Sequence, residues 1–190
     1  MDDLVKQAMA RWPDVPAMFG WLRLDRRGKW YLIDRGRPGF DAQLDSDALG
    51  SSITSPSIVD FIARNYQADD TGRWFWQNGP QRVFVDLDLA PLIFRVFENA
   101  TQQTLVSHCG DIVNRIDALA STPSGELWLR TDLGPGVVHD LDLAQLDLLT
   151  SAEDDLRLQF GALSFSVTAL PDAREAQRWA GFEAKPQRSN

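Results

Sequence analysis

Cysteine and histidine are scarce in this chain of 190 residues, which has one cysteine and two histidines. Cys109 therefore cannot form a disulfide within the chain, and a structural zinc site would need carboxylates to complete its ligands. The sequence also has no run of about 18 apolar residues and no apolar segment behind a basic start, so neither a membrane span nor a secretory signal is expected. A cytoplasmic location is the resulting prediction.

The motifs of common catalytic sites are missing as well. The sequence has no Gly-x-Ser-x-Gly elbow, no Gly-x-Gly-x-x-Gly and no Gly-x-x-x-x-Gly-Lys-Ser/Thr phosphate loop. His108 and Cys109 are neighbours, so on a strand their side chains would point to opposite faces. No catalytic residue, metal site or cofactor is predicted. Whether the protein is an enzyme stays uncertain, with the balance against it.

The composition is that of an ordinary globular chain, with 44% apolar and 24% charged residues. Its charge is unevenly distributed around a net value of −8. The segment 22–37 has six basic residues against two acidic ones, while 131–160 has seven acidic residues and Arg157 as its one base. Such patches could dock within one chain, join two chains as a homodimer, bind an anionic ligand, or simply be solvated. Nucleic acid is disfavoured as a partner because the whole chain is acidic.

Turn residues and apolar periodicity predict an α+β fold of antiparallel β-hairpins and meanders with a few flanking helices. Helices are predicted at Asp2–Trp12, after Pro56, at about Asp140–Leu149 and at Pro171–Ala180, although Leu141–Leu143 alternates like a strand. Hairpins are predicted at 21–33, at 73–87 across Asn78-Gly79, and at 156–167. Further strands are predicted at 92–97, 104–107, 112–119 and 126–130. The Gly134-Pro135-Gly136 segment is predicted to end the last of these strands. The segment 34–54 is predicted to be a loop.

The predicted domain organisation has three parts. Residues 1–19 form an N-terminal helix, 20–170 form the α+β body with a sub-boundary near 100, and 171–190 form a C-terminal helix and tail. A turn closed by glycine and followed by large apolar residues occurs three times, ending at Gly28, Gly72 and Gly125. Common hairpin geometry explains this pattern, and an internal repeat of hairpin units is the alternative.

The block Gly72-Arg73-Trp74-Phe75-Trp76-Gln77-Asn78-Gly79-Pro80-Gln81-Arg82-Val83 resembles a family of uncharacterised bacterial proteins, with 133–136 as a second match. The resemblance covers roughly residues 20–150. More distantly, the alternation of glycine-turn strands with a helix is similar to another uncharacterised bacterial domain family, built from repeated motifs, for which a signalling role has been suggested. Neither resemblance implies a catalytic residue.

Candidate binding residues come from the hairpin and from the basic segment. Trp74 and Trp76 share one strand face. If exposed, they would form a platform on which a ring could stack, and if buried, they would be part of the core. The core role is favoured because Val83 and Val85 could face them across the hairpin. The other candidates are polar side chains at the hairpin tip or arginines of the basic segment: Gln77, Asn78, Gln81, Arg82, Arg23 and Arg26. Asp86 and Asp88 also share a strand face, where solvated carboxylates are favoured over a Ca²⁺ or Mg²⁺ site.

Two hypotheses for the function follow. The first is a non-catalytic binding or regulatory module, with a role in bacterial signalling, that binds a protein partner or a small anionic ligand. The second is an enzyme or sensor acting on a small anionic metabolite, with Arg23, Arg26 or Arg82 as anion contacts and an aspartate as acid or base. Neither nucleic acid nor a membrane is expected as a partner.

Overall fold

The computed structural model describes residues 1–41, 50–98, 103–150, 156–161 and 163–187. Residues 42–49 of the predicted loop lie outside these ranges. Within them, strands in two sheets and a few helices make up the fold, so the predicted α+β class is confirmed. The chain divides into two compact units: unit 1 contains residues 1–88 and 183–190, and unit 2 contains 89–182.

Unit 1 is built on one mixed sheet. Its described elements are α1 (Asp3–Arg11), β1 (Met18–Leu24), β2 (Trp30–Leu32), β3 (Ser51–Ser52), α2 (Pro56–Arg64), β4 (Tyr66–Ala68), β5 (Trp74–Asn78) and β6 (Gln81–Leu87). The strand order is β3-β2-β1-β6-β5-β4, in which β1 and β6 are parallel and the other neighbours antiparallel. The predicted hairpins β1–β2 and β5–β6 are confirmed.

One face of this sheet forms the core of unit 1. Alternation along β1 and β6 places Leu22, Leu24 and Val85 on this face, all almost completely buried. The ring of Phe61, from α2, meets Trp76 edge to face with centroids 5.8 Å apart. Helix α2 therefore contacts the apolar face, and the residues between these apolar positions point the other way.

Unit 2 contains the second sheet. Its described elements are β7 (Leu92–Glu98), β8 (Gln103–Ser107), β9 (Ile116–Ser121), β10 (Leu127–Thr131), β11 (Gly134–Val138), a 3₁₀-helix (Asp140–Gln145), β12 (Asp147–Thr150), β13 (Leu156–Phe160), β14 (Leu163–Ala169) and α3 (Ala173–Ala180). The order β12-β13-β14-β9-β10-β11-β7-β8 confirms the predicted hairpin of β13 and β14.

Helix α3 covers the core of unit 2. Its N-terminus is capped by Asp172, whose side chain accepts a hydrogen bond from the Glu175 amide, and it ends at Gly181 with a positive φ of 82°. These are the cap and stop that the sequence predicts. The core cluster consists of apolar side chains from the sheet, from α3 and from the segment just before β7: Leu89, Ala90, Ile93, Ala120, Trp128, Val137, Ala176 and Ala180.

Three predictions for unit 2 are wrong in detail. The helix predicted at Asp140–Leu149 is a short 3₁₀-helix followed by strand β12, because the Asp142 side chain is bound to β7 and stops a regular helix. The Gly134-Pro135-Gly136 segment starts β11 instead of ending a strand. The strand predicted at 112–119 starts only at Ile116.

The two units do not coincide with the three predicted parts of the chain. Contacts divide the chain between Asp88 and Leu89, whereas the sequence pattern suggested a boundary near residue 100. The α1 helix belongs to unit 1 and α3 to unit 2. After Phe182 the chain returns to unit 1, where the Glu183 amide donates to the Gly72 carbonyl and Leu87 donates to Ala184.

Candidate functional site

On the second face of the unit 1 sheet, where β1 and β6 run side by side, the stacked rings of Phe19 and Phe84 are followed by polar residues. The parallel register places Arg23 directly beside Asp86, between the pairs formed by Leu22 with Val85 and Leu24 with Leu87. Because side chains alternate along each strand, Arg23 and Asp86 point away from the apolar core. This pairing joins two residues that are far apart in the sequence.

Arg23 binds Asp88, the residue just after β6. Its Nε donates to Oδ1 at 2.6 Å and its Nη2 donates to Oδ2 at 2.8 Å, so the contact is bidentate. The two side chains are only 19% and 23% exposed, which makes this pair stronger than an ordinary surface ion pair. The hydrogen bond to Asp88 raises the pKa of Arg23, so the guanidinium stays charged.

Asp86 is half-buried beside this pair and has an unusual environment. Among the described residues, its carboxyl group forms no hydrogen bond and no ion pair. Burial raises the pKa of Asp86, while the charges of Lys185, Arg35 and Arg23 oppose the shift without cancelling it. A half-buried carboxylate without a partner is costly, so its presence needs an explanation.

Arg35 lies next to Asp86 and is held in place by neutral groups. Its Nη1 donates to the Phe19 carbonyl at 3.1 Å, and its guanidinium carbon lies 5.2 Å from the centre of the Phe40 ring. Its charged group also packs on Gly20, where a Cβ atom would lie 2.0 Å from Nη1 and 3.7 Å from Asp86 Oδ2. Within the part of the chain that the structure describes, this half-buried arginine forms no ion pair.

These residues define the candidate site, called here the Asp86 site: Asp86 and Arg35, which both lie close to Gly20, with Arg23 and Lys185 as further cations nearby. Gly20 has a positive φ of 71° and no side chain, which leaves room for the guanidinium. A positioned arginine can bind a carboxylate or a phosphate through two parallel hydrogen bonds. The carboxyl group of Asp86 can accept hydrogen bonds when it is ionised.

The two tryptophans of the hairpin lie on the core face. Trp74 is 5% exposed, and its ring lies 4.9 Å from that of Tyr66. Trp76 is half-buried, and Val83 is its partner across the hairpin, as expected from the sequence. The sequence left two alternatives open for Trp74, a binding platform and a core residue. The burial of its side chain fits the core role.

The polar candidates of the hairpin tip that are not exposed have partners elsewhere in unit 1. Gln77 is 1% exposed and its Nε2 donates to the Gly79 carbonyl, while Gln81 Nε2 donates to the Pro16 carbonyl. The exposed Arg82 lies over the Phe75 ring at 4.7 Å, and Asn78 is exposed. Arg26 is exposed in the turn between β1 and β2. Of the eight predicted residues, the structure brings Arg23 alone into register with Asp86.

The sequence pattern did not identify Asp86, Arg35 and Lys185 as one site. The sequence pattern groups Asp86 with Asp88, as a solvated or metal-binding pair, and places Arg35 in the basic segment. The signal that could have found them is the parallel pairing of β1 with β6, and single-sequence patterns do not specify which distant strands pair.

The structure also bears on metal binding and on Cys109. No cluster of three or more His, Cys, Asp or Glu side chains that could hold a metal occurs among the described residues. Contrary to the expectation for a strand, His108 and Cys109 lie in a turn, and His108 Nε2 is 3.6 Å from Cys109 Sγ. Burial, with a contribution from Asp111, raises the pKa of Cys109 to about 12, so the thiolate needed for nucleophilic chemistry is scarce.

Unit 2 has a cavity of about 230 Å³ between β8, the start of β9 and the β13–β14 hairpin. Its lining is mainly apolar, and its two larger polar residues already have partners. Asn114 binds the Asp132 carboxylate, and Arg115 Nε donates to Asp117 at 2.5 Å. This cavity therefore lacks the positioned and available charged groups of the Asp86 site.

Comparison with known proteins first gives the class of protein. A crystal structure of a DUF1285 family protein from Silicibacter pomeroyi DSS-3 is similar, with a TM-score of 0.52 and 16% identity, covering 94% of this chain and 100% of that chain. Another, of a DUF1285 family protein from Shewanella baltica OS155, has a TM-score of 0.45 and 17% identity, covering 66% of this chain and 88% of that chain. The first comparison shows a shared α+β fold.

The family itself follows from a match over almost the whole chain. The family model DUF2944, described as "Protein of unknown function (DUF2946)", matches residues 1–187. The chain therefore belongs to this family of uncharacterised proteins. No curated protein matches the chain. Among the described helices, none is both long and apolar enough to cross a membrane.

Proposed function

We propose that the chain is a non-catalytic binding or regulatory module that recognises a small anionic ligand at the Asp86 site. Arg35 is the observation on which this depends. Its guanidinium is half-buried, fixed by the Phe19 carbonyl and the Phe40 ring, and forms no ion pair with the described residues. A guanidinium that is already positioned loses little side-chain entropy when it binds a carboxylate or a phosphate.

The charges around Arg35 support an anionic ligand. The charges of Arg23, Arg35 and Lys185 lower the pKa of Asp86, whereas that of the neighbouring carboxylate Asp88 raises it. Excess positive charge in a half-buried region raises the local concentration of anions. Arg23 is kept close by its bidentate contact with Asp88, so it contributes its charge without having to move.

A regulatory role would follow if ligand binding stabilises the arrangement of the segments of unit 1 that meet at the Asp86 site. The site joins β1, β6, the segment after β2 and the C-terminal segment through Lys185, so a ligand would stabilise their common arrangement. A cytoplasmic location, a signalling role and a homodimer remain part of the proposal. Size-exclusion chromatography with light scattering would measure the oligomeric state.

The alternative is an enzyme or sensor that acts on a small anionic metabolite, with Asp86 as acid or base. The raised pKa of Asp86 beside arginines is the observation that favours it, since such shifts are common in active sites. Incubating the protein with each ligand that binds, and following the ligand by NMR, separates the two functions. Conversion of a ligand would favour the enzyme, and unchanged ligand the binding module.

The test of the proposed function is a thermal-shift screen followed by calorimetry with acetate, succinate, inorganic phosphate, sugar phosphates and amino acids. A ligand at 100 times its Kd stabilises the folded state by about 2.7 kcal/mol. The variant Arg35→Gln should weaken binding of the hit by at least about tenfold, the effect expected for a lost charged hydrogen bond. Arg174→Gln, which removes the same charge from an exposed position of α3, is the matched control.

Two results would contradict the proposal. One is that none of these anions binds the native protein. The other is that Arg174→Gln weakens binding as much as Arg35→Gln does, because the effect would then come from the total charge of the chain and not from the site. Circular dichroism of both variants verifies that the fold is retained.

A further inference from the structure

We infer that the ligand of the Asp86 site carries a hydrogen-bond donor next to its acid group, as an amino acid does, with the acid group on Arg35 and the donor on Asp86. This inference rests on the proposed function, because it names the class of ligand for the same site. A simple carboxylate or phosphate would be a poor ligand by the same argument.

The first step concerns Asp86 itself. Its half-buried carboxyl group has no hydrogen bond or ion pair within the described ranges. An ionised carboxylate can only accept hydrogen bonds, so the partner that would satisfy it must be a donor. An ammonium group is the strongest such donor and also offsets the charge. A ligand with an amino group would therefore supply what Asp86 lacks.

The second step concerns the arrangement of Asp86 and Arg35. Asp86 Oδ2 and Arg35 Nη1 lie 3.7 Å and 2.0 Å from the place where the Cβ of Gly20 would be, yet the two side chains form no ion pair with each other. Arg35 is held by the Phe19 carbonyl and lies over the Phe40 ring instead. One compact ligand can therefore reach both groups, provided that its acid and its donor are close together.

The third step concerns selectivity. A bare carboxylate beside an anion-binding arginine repels a second anion, so Asp86 disfavours ligands that have only an acid group. An ammonium group on the ligand converts this repulsion into an attraction. Asp86 would thus determine the class of ligand, while Arg35 provides the anion contact common to all candidates.

The direction of the pH dependence follows from the charged groups around Asp86. These are Arg23 on β1, Arg35 after β2, Asp88 at the end of β6 and Lys185 in the C-terminal segment. Burial raises the pKa of Asp86, so this carboxyl group becomes protonated on acidification. Acid should weaken binding of an amino acid, because its ammonium group then loses the carboxylate partner.

The experiment compares pairs of ligands that differ only in the amino group: alanine with propionate, glutamate with glutarate, and phenylalanine with 3-phenylpropionate. Binding is followed at pH 7.5 by NMR chemical shifts of the backbone amides, with those of Gly20 and Asp86 as local reporters. In at least one pair, the amino acid should bind about tenfold more tightly or better, as expected for a charged hydrogen bond.

The variant Asp86→Asn should remove most of this preference, and Asp14→Asn, which neutralises an exposed carboxylate of unit 1, should not. Asp86→Asn should also keep or raise the Tm of the free protein, because it removes a half-buried charge that has no partner. A carboxylate with a structural role would instead lower the Tm when it is replaced. Should this variant fail to fold, Asp86→Ser, which also removes the carboxylate, tests the same preference.

The outcomes separate the inference from the proposed function. Equal binding within every pair, or binding of inorganic phosphate in preference to all amino acids, would overturn the inference and leave the anion site intact, provided that Arg35→Gln abolishes binding. A preference that survives in Asp86→Asn would overturn it as well. If no anion and no amino acid binds at all, the proposed function fails together with the inference.

Discussion

Cys109 shows how one residue's surroundings determine its chemistry. It lies in the turn that follows β8, with its amide donating to the Ser107 hydroxyl oxygen and its sulfur beside the His108 ring. A cysteine next to a histidine is a common arrangement in thiol enzymes, where the thiolate is stabilised. Here burial has the opposite effect and raises the pKa of the thiol to about 12.

We therefore expect Cys109 to react slowly in the folded protein. At pH 8 the thiolate fraction is far below that of a free cysteine, so the reaction with 5,5′-dithiobis(2-nitrobenzoate) should be at least about 100-fold slower than in 6 M guanidinium chloride. Because the sequence contains one cysteine, the absorbance change reports this residue alone. A native rate within tenfold of the denatured rate would contradict the expectation.

The three glycine turns show what the sequence can specify at this scale. Gly28, Gly72 and Gly125 have φ values of 81°, 79° and 91°, as positions that favour glycine require. In each turn the glycine amide donates to the carbonyl three residues earlier, so local hairpin geometry accounts for the shared pattern. A fourth turn of this kind ends at Gly110, and Ile112 stands two positions later, as the large apolar residues do in the other three turns.

Among the elements, the 3₁₀-helix is held in place by one buried carboxylate. Asp142 is 1% exposed and accepts hydrogen bonds from Arg95 Nε at 2.5 Å and from the Val96 amide at 3.0 Å. Burial alone would raise the pKa of Asp142, but the hydrogen bonds from Arg95 and Val96 outweigh it and lower the pKa. Its partners lie on β7, more than 40 residues earlier in the chain.

Replacing Asp142 should therefore destabilise unit 2. Asp142→Ala leaves the Val96 amide and the Arg95 guanidinium without their partner, at an expected cost of about 2–3 kcal/mol. Urea denaturation measures this cost, and hydrogen exchange at the Val96 amide locates it. Asp147→Ala, on the exposed strand β12, is the matched control and should change stability by less than about 0.5 kcal/mol.

The same variant has a predictable pH dependence. Because folding lowers the pKa of Asp142, its stabilising contribution is present above the usual aspartate pKa and is lost as the pH falls through the lowered value. The stability difference between the native protein and Asp142→Ala should therefore shrink below about pH 4. A difference that stays constant down to pH 2 would show that the carboxylate acts only by filling space.

The contrast between elements shows where sequence patterns are sufficient. Hairpins such as β5–β6 are determined by residues close together, since Asn78-Gly79 and the flanking apolar residues lie within one short segment. The 140–149 segment and the Asp86 site depend instead on distant contacts, namely Asp142 with β7 and Arg23 with Asp86 through parallel pairing. Single-sequence periodicity contains no information on such pairings, so both were missed.

For the whole molecule, the order of the units along the chain is the main structural feature. Unit 2 is one continuous segment, 89–182, whereas unit 1 is completed by residues 183–190 after unit 2 has been synthesised. Unit 2 also has its own core cluster, in which Trp128 is fully buried and stacks on Phe182 with ring centroids 6.3 Å apart. A segment with continuous sequence and its own core has what is needed to fold alone.

We therefore expect the fragment 89–182 to fold without unit 1. Of the seven tryptophans, it contains Trp128 and Trp179, so its fluorescence reports on this core. The emission should be shifted to the blue because Trp128 is excluded from water, and thermal unfolding followed by circular dichroism should be cooperative. The complementary fragment 1–88 lacks the backbone hydrogen bonds that Glu183 and Ala184 form with Gly72 and Leu87. It also lacks the charge of Lys185 near Asp86. This fragment should therefore be less stable than unit 1 in the full chain, and it should not bind the ligand. An 89–182 fragment with red-shifted emission and no unfolding transition would show that unit 2 needs the rest of the chain in order to fold.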